Sequence, residues 1–188
     1  MSLHGTTRPV ANLGINRLGL WLFFLSESMI FVVLLTVRFV LLGGSRPEGM
    51  NQSLGVILTV VLLLSSVTAY QAETAIAHDR RRALLRWLLV TMALGLLFLA
   101  GVVGIEWREA GAMGIVPQSG FGMVFFAMTG MHALHVLSGV VFLGLVYRNG
   151  RRGSYAPNSY WGVEACIKYW HFVDLVWVFF FPALYLIF

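Results

Sequence analysis

The sequence predicts an all-α, polytopic membrane protein: a five-transmembrane-helix bundle, N-terminus cytoplasmic, C-terminus outside. Three observations carry that expectation. Of the 188 residues 59% are hydrophobic and 11% are charged, less than half the roughly 25% charge of a soluble domain, and the mean hydropathy is +0.81. Apolar runs of spanning length occupy most of the chain. The basic residues, finally, segregate to one side of those runs.

The runs are roughly Leu18 to Leu42, Leu54 to Ala77, Leu84 to Ile105, Phe121 to Tyr147 and Val163 to Phe188. At about 1.5 Å per residue each covers the roughly 30 Å hydrocarbon layer with some tilt to spare. Helices are expected throughout, because lipid offers the backbone no partners and none of the runs alternates like a barrel strand. The polar N-terminal stretch holds no short apolar core of the signal-peptide kind, so the first span is expected to be retained. Breaker-rich connections follow the first span (Gly43-Gly44-Ser45-Arg46-Pro47) and precede the fifth (Gly150 to Pro157), and a charged one, His78-Asp79-Arg80-Arg81-Arg82, follows the second. Residues 1–188 are expected to form a single membrane domain, with no extramembrane domain and no internal repeat.

On the side of the N-terminus lie Arg8, Arg17, Arg80, Arg81, Arg82, Arg86, Arg148, Arg151, Arg152 and Lys168; the other side carries Arg38, Arg46 and Arg108. This asymmetry gives the orientation and accounts for the net charge of +5 without invoking nucleic acid. Trp87 and Trp107 near span ends, and Trp161, Trp170, Trp177, Tyr160 and Tyr169 about the fifth span, read as interfacial aromatics. The single cysteine, Cys166, can form no internal disulfide, and no CxxC or zinc pattern is present.

Ionisable groups within the spans are the functional candidates, because each is costly in hydrocarbon unless neutral or paired. Glu27 lies about ten residues beyond Arg17, about 15 Å into the layer. It is expected to be largely protonated and hydrogen-bonded to Ser26, Ser28 or a neighbouring helix. Two readings stand side by side: a structural pin between helices, and a proton-linked, carbodiimide-reactive carboxyl. His132 and His135, three residues apart, share nearly one helix face. Two histidines on one face of one helix cannot sandwich a haem, so helix-to-helix or lipid hydrogen bonds are expected and no metal site is assigned. Glu164, Lys168, His171 and Asp174 form one stripe on the fifth span, with Glu164 and Lys168 able to pair; the stripe is expected to face protein or a bound headgroup. Glu73 reads as snorkelling toward the arginine cluster, and Glu106 and Glu109 as interfacial. Arg80, Arg81 and Arg82 read as topology determinants with anionic lipid contact as an added role. No phosphate loop, zinc protease motif or activated nucleophile is present, nor are the inverted repeats of many transporters.

The string Tyr169-Trp170-His171-Phe172-Val173-Asp174-Leu175-Val176-Trp177, led by Gly162-Val163-Glu164-Ala165, resembles the last helix of subunit III of haem-copper oxidases. Thr129-Gly130-Met131-His132-Ala133-Leu134-His135-Val136 resembles the penultimate helix of that family, and Ser26-Glu27 the helix carrying its carbodiimide-reactive glutamate. Asp79-Arg80-Arg81 and Glu106-Trp107 resemble two further landmarks. The chain is similar to the short five-helix bacterial forms and starts at what would be the third helix of the seven-helix forms. The lipid cleft between the first two helices of those forms and the rest therefore does not carry over. Ala72-Glu73 stands where mitochondrial relatives have a histidine pair, so no role of that pair carries over either.

The resemblance implies a non-catalytic core subunit of a respiratory terminal oxidase of cytochrome c or quinol oxidase type, in a bacterial cytoplasmic membrane. Haems and copper reside in its partners, subunits I and II, which reduce oxygen and translocate protons; this chain is expected to hold no cofactor of its own and to bind phospholipid. Glu27 inherits the buried proton-linked carboxyl, and Glu164, His132, His135, His171 and Asp174 inherit packing or lipid-associated positions. Rival readings are a partner of a nitric oxide reductase and an independent proton conductor or small transporter working through Glu27.

Overall fold

A computed structural model describes residues 10–43 and 52–187; Arg8 and the Gly44-Ser45-Arg46-Pro47 stretch lie outside the described residues. Five helices are long and apolar enough to cross a membrane, and no β-strand occurs among the described residues. They are α1 (Val10–Leu42), α2 (Gln52–Ala77), α3 (Arg81–Ala112), α4 (Gly120–Arg151) and α5 (Trp161–Leu186). α1, α3 and α4 outrun the apolar runs because a helix whose backbone is already satisfied continues past the hydrocarbon until a turn residue stops it. Thus α1 begins well before Leu18, α3 runs beyond Ile105, and α4 extends to a cap at Arg152 beside Gly153, whose φ is +78°.

Two segments depart from α geometry. Ala100–Glu106 forms a wide π turn within α3, and Pro182–Leu186 winds as a π turn at the end of α5. A π turn adds a residue per turn and rotates the helix faces beyond it. In α3 that rotation carries Glu106, expected at the interface, into the interior, where it is 5% exposed.

α2, α3, α4 and α5 pack in a ring, and α1 lies outside it against α4 and α5. α2 and α5 run antiparallel, and their contacts form a ladder: Trp177 Nε1 donates to Thr59 Oγ1 (3.0 Å), Trp170 Nε1 donates to Ser65 Oγ (2.9 Å), and Ser66 Oγ meets His171 Nδ1 (2.6 Å). Trp170, Trp177 and Tyr169 are therefore buried; the expected interfacial belt is corrected at these three positions, because each ring's polar atom finds a hydroxyl on another helix. Trp107 behaves likewise, donating from α3 to Thr129 Oγ1 on α4 at 3.1 Å.

Trp170 fits tightly between two glycines. A Cβ at Gly95 of α3 would lie 2.5 Å from its ring, and one at Gly139 of α4 2.8 Å from the opposite edge. Only hydrogen at both positions leaves room for an indole that is itself 1% exposed. In lipid, where apolar burial gives helices little reason to associate, such close packing and interhelical hydrogen bonds supply the attraction.

The charged α2–α3 connection is also structural. Asp79 takes the left-handed conformation (φ 56°), which Asp tolerates better than most residues. Arg81 then reaches the C-terminal end of α4, donating from Nε to the Gly150 carbonyl at 2.7 Å and from its guanidinium to the Arg151 carbonyl. A cation there satisfies carbonyls that have no partner within the helix and complements the helix dipole. Arg81 is thus a cap as well as a topology determinant.

The glycine slot yields a direct test. Gly139→Ala should lower thermal stability by about 1–3 kcal/mol, the usual cost of overpacking a rigid core. Gly144→Ala, on the same helix with nothing within 4 Å of the added methyl, should leave stability unchanged or raised. Equal melting curves for the two variants would rule out the slot as a packing determinant.

Candidate functional site

The polar groups named from sequence fall into two clusters and a remainder. The first joins α1 to α4. Glu27, whose side chain is 21% exposed, places Oε2 3.0 Å from His135 Nε2. Ser26 and Ser28 instead donate to their own helix, at the carbonyls of Phe23 and Phe24, so of the partners open to Glu27 it takes the neighbouring helix. The other ring nitrogen of His135 lies 2.8 Å from the Met131 carbonyl. A carbonyl only accepts, so Nδ1 carries hydrogen. Between Nε2 and Oε2 there is then one proton to share: either a neutral carboxyl donates to a neutral ring, or an imidazolium donates to a carboxylate. Phe31 closes the pair from the side, its ring 4.7 Å from that of His135.

The second cluster joins the basic ends of α1, α2 and α5. Glu164 pairs with Lys168 on its own helix and with Arg17 of α1 at 3.3 Å. Glu73 of α2 lies near this cluster, within the electrostatic reach of Glu164 and Lys168. His171 continues the stripe through its bond to Ser66, and Asp174, 4% exposed, ends it. Between α1 and α5 a groove of about 610 Å³ runs along the stripe, lined by Trp21, Phe24, Leu25, Ser28, Lys168, His171, Phe172 and Leu175.

His132 and His135 part company despite their shared face. His132 is completely buried against the rings of Trp177 (4.9 Å) and Phe98 (5.5 Å), and among the described residues neither of its nitrogens has a hydrogen-bond partner. The helix-to-helix bond expected for His132 is therefore absent there, because its neighbours on α3 and α5 are aromatic faces. Also among the described residues, no three or more His, Cys, Asp or Glu side chains converge as a metal would require.

Sequence reasoning missed two groups. Arg38, counted only toward charge asymmetry, is fully buried. It donates from Nε to the Ala183 carbonyl at 3.0 Å, in the π turn of α5, and its guanidinium lies 5.6 Å from the Phe121 ring. Glu106 reads from sequence as a surface residue, and nothing in a linear sequence announces the π turn that moves it. The tryptophan–hydroxyl ladder did leave a trace: Trp170 and Trp177 are seven residues apart, as nearly are Ser65 and Thr59.

A five-helix membrane bundle whose internal polar groups tie helices together, with a carboxyl–imidazole pair inside the layer, defines a non-soluble helical subunit class. The sequence model described as cytochrome c oxidase subunit III matches residues 1–187, and the chain belongs to that family. It is 36% identical over 176 residues to the cytochrome c oxidase subunit 3 of Thermostichus vulcanus, covering 90% of this chain and 86% of that one. The probable quinol oxidase subunit 3 of Staphylococcus epidermidis is 33% identical, with 92% and 89% covered. The cytochrome c oxidase subunit 3 of Gallus gallus is 31% identical, with 98% of this chain and 74% of the relative covered. The chain is thus a membrane protein of the haem-copper oxidase family's third subunit, and that membership implies association with other oxidase subunits.

The pair of Glu27 and His135 is open to test by substitution. Glu27→Gln preserves shape and a donor for Nε2, so thermal stability and assembly should be retained. Glu27→Leu leaves a partly buried nitrogen without its partner and should cost about 1–3 kcal/mol. Failure of the glutamine variant to assemble would show that the carboxyl itself, not the hydrogen bond, is what the fold requires.

Proposed function

We propose that this chain is a non-catalytic core subunit of a respiratory terminal oxidase in a bacterial cytoplasmic membrane, oriented with its N-terminus and basic end toward the cytoplasm. It docks with subunits I and II, which hold the haems and copper, reduce oxygen and translocate protons. The observation that carries this reading is the use of the chain's polar groups: Trp107, Trp170, Trp177, Ser66, His135, Glu27, Arg38 and Arg81 are all committed to joining one helix to another. Such a scaffold suits a stabilising role. Glu27 serves as its proton-linked carboxyl, sharing a proton with His135.

The groove between α1 and α5 holds a phospholipid in this reading. Its walls are aromatic and aliphatic, while Lys168 and the Arg17–Glu164 pair stand at the basic end, where an acidic headgroup would be held. His132, His135, Glu164, Lys168, His171 and Asp174 then serve packing and lipid retention.

Solubilising the chain from its native membrane in mild detergent should co-purify a haem-copper subunit I, visible in a reduced-minus-oxidised spectrum and by mass spectrometry. Recovery of the colourless chain alone would overturn the accessory reading in favour of an independent conductor, which would dissipate a pH gradient in liposomes. Glu164→Ala removes the anchor of Arg17 and should lower phospholipid per complex and subunit retention while electron transfer is kept. Unchanged lipid content and retention would count against the groove.

A further inference from the structure

On α5, Glu164, Lys168, His171 and Asp174 climb from the basic end toward the middle of the layer, each about one turn beyond the last. Asp174 stands thirteen residues past Trp161, about 20 Å along the helix axis. The groups differ in how they are satisfied. Glu164, Lys168 and His171 have side-chain partners, but neither carboxyl oxygen of Asp174 accepts or donates a bond among the described residues. Ser66 stands between the two groups, 2.6 Å from His171 Nδ1 and within reach of this carboxyl, so its hydroxyl can accept from the ring and pass its own hydrogen toward Asp174. A carboxyl buried in a dry protein interior with no partner is rare, and native structures satisfy such groups with internal water. His171 also lines the groove that opens toward Lys168. The seam between α2 and α5 thus holds an ionised cluster at the basic end, an imidazole–hydroxyl pair in the middle and an unsatisfied carboxyl at the inner end.

We propose that Asp174 is a proton-loading site that exchanges with the aqueous phase at the basic end of the bundle through the His171–Ser66 pair and internal water. In one transfer, the His171 ring takes a proton from groove water on Nε2 and releases the hydrogen on Nδ1 to Ser66 Oγ. Ser66 gives up its own proton through water to the Asp174 carboxylate, which becomes a neutral acid. The ring is left neutral with hydrogen on Nε2, the hydroxyl is restored, and one proton has moved inward. The charged and titratable groups that bear on this path are Glu164 and Lys168 of α5, Glu73 of α2, Arg17 of α1 and, one turn beyond Asp174, His132 of α4 against Trp177. The path runs along the α2–α5 seam from His171 inward and is fed by water at the Lys168 end of the α1–α5 groove, beside any lipid held there; the identity of the electron donor plays no part in it.

The test is infrared spectroscopy of the intact complex, in which the stretch of a protonated carboxyl stands apart from the amide bands and shifts when its proton is replaced by deuterium. The Asp174 band is assigned as the one lost in Asp174→Asn, and the Glu27 band as the one lost in Glu27→Gln. On transfer to D₂O the Asp174 band should shift promptly in the native complex. It should shift on the order of tenfold more slowly in His171→Phe, where exchange must wait for local opening of the helices. Ser66→Ala supplies the same test with minimal change of volume if the phenylalanine variant does not assemble. A band that stays unshifted in D₂O, or that shifts at the same rate in the His171 and Ser66 variants as in the native complex, overturns the proposal. So does the lack of any protonated Asp174 band across the accessible pH range.

Discussion

The indole of Trp170 holds the bundle in register. It leaves α5, enters a slot floored by Gly95 of α3 and Gly139 of α4, and ends in a hydrogen bond to Ser65 of α2. One side chain thereby fixes four helices at once. A water-soluble bundle would be held chiefly by excluding water from its core; lipid tails are as apolar as leucine, so here the fit of one rigid ring and its single N–H takes that part. The other contacts along α2 and α5 depend on this register, since setting Trp170 against Ser65 also sets Trp177 against Thr59 and His171 against Ser66.

α1 is attached by different means. Its large apolar side chains mostly face outward, and three contacts along its length secure it: Arg17 to Glu164 near the basic end, Glu27 to His135 in the middle, and Arg38 to Ala183 toward the far end. Between them, Phe24 stacks on Phe172 at 5.0 Å and Phe31 meets Phe180 at 5.6 Å. Each polar contact is made at a depth where water cannot compete for it, or at the rim where charge finds countercharge. The one at Ala183 depends on the π turn that surrounds that carbonyl.

Span number and location were legible in the sequence because hydrocarbon thickness sets a minimum run of apolar residues that nothing else in the chain could mimic. Helix ends were not, since polar residues such as Arg148 and Arg151 sit as comfortably in a helix above the lipid as in a loop. Glu27, Glu164 and Asp174 stood out as candidates on cost alone. Their partners did not, because pairing Glu27 with His135 requires knowing that α1 lies on α4. Trp107, Trp170 and Trp177 were misread for a related reason: an indole with one polar atom suits a headgroup region and a buried hydroxyl equally well, and only the position of Thr129, Ser65 or Thr59 decides between them. Glu106 and Arg38 escaped because both depend on π turns, a change of winding with no residue signature of its own here.

The placement of α1 also bears on how the protein is made. Among the described residues its extensive packing is with α4 and α5, which leave the ribosome well after it. With synthesis at about 5–20 residues per second, the span from Leu42 to the end of α5 takes roughly 7–30 s. Glu27 waits for His135 on α4, and Arg38 waits longer, for Ala183 near the end of α5. Nascent α1 must therefore either linger at the insertion machinery or carry Glu27 in lipid until α4 arrives and Arg38 until α5 does, which makes α5 the helix that completes the commitment of α1.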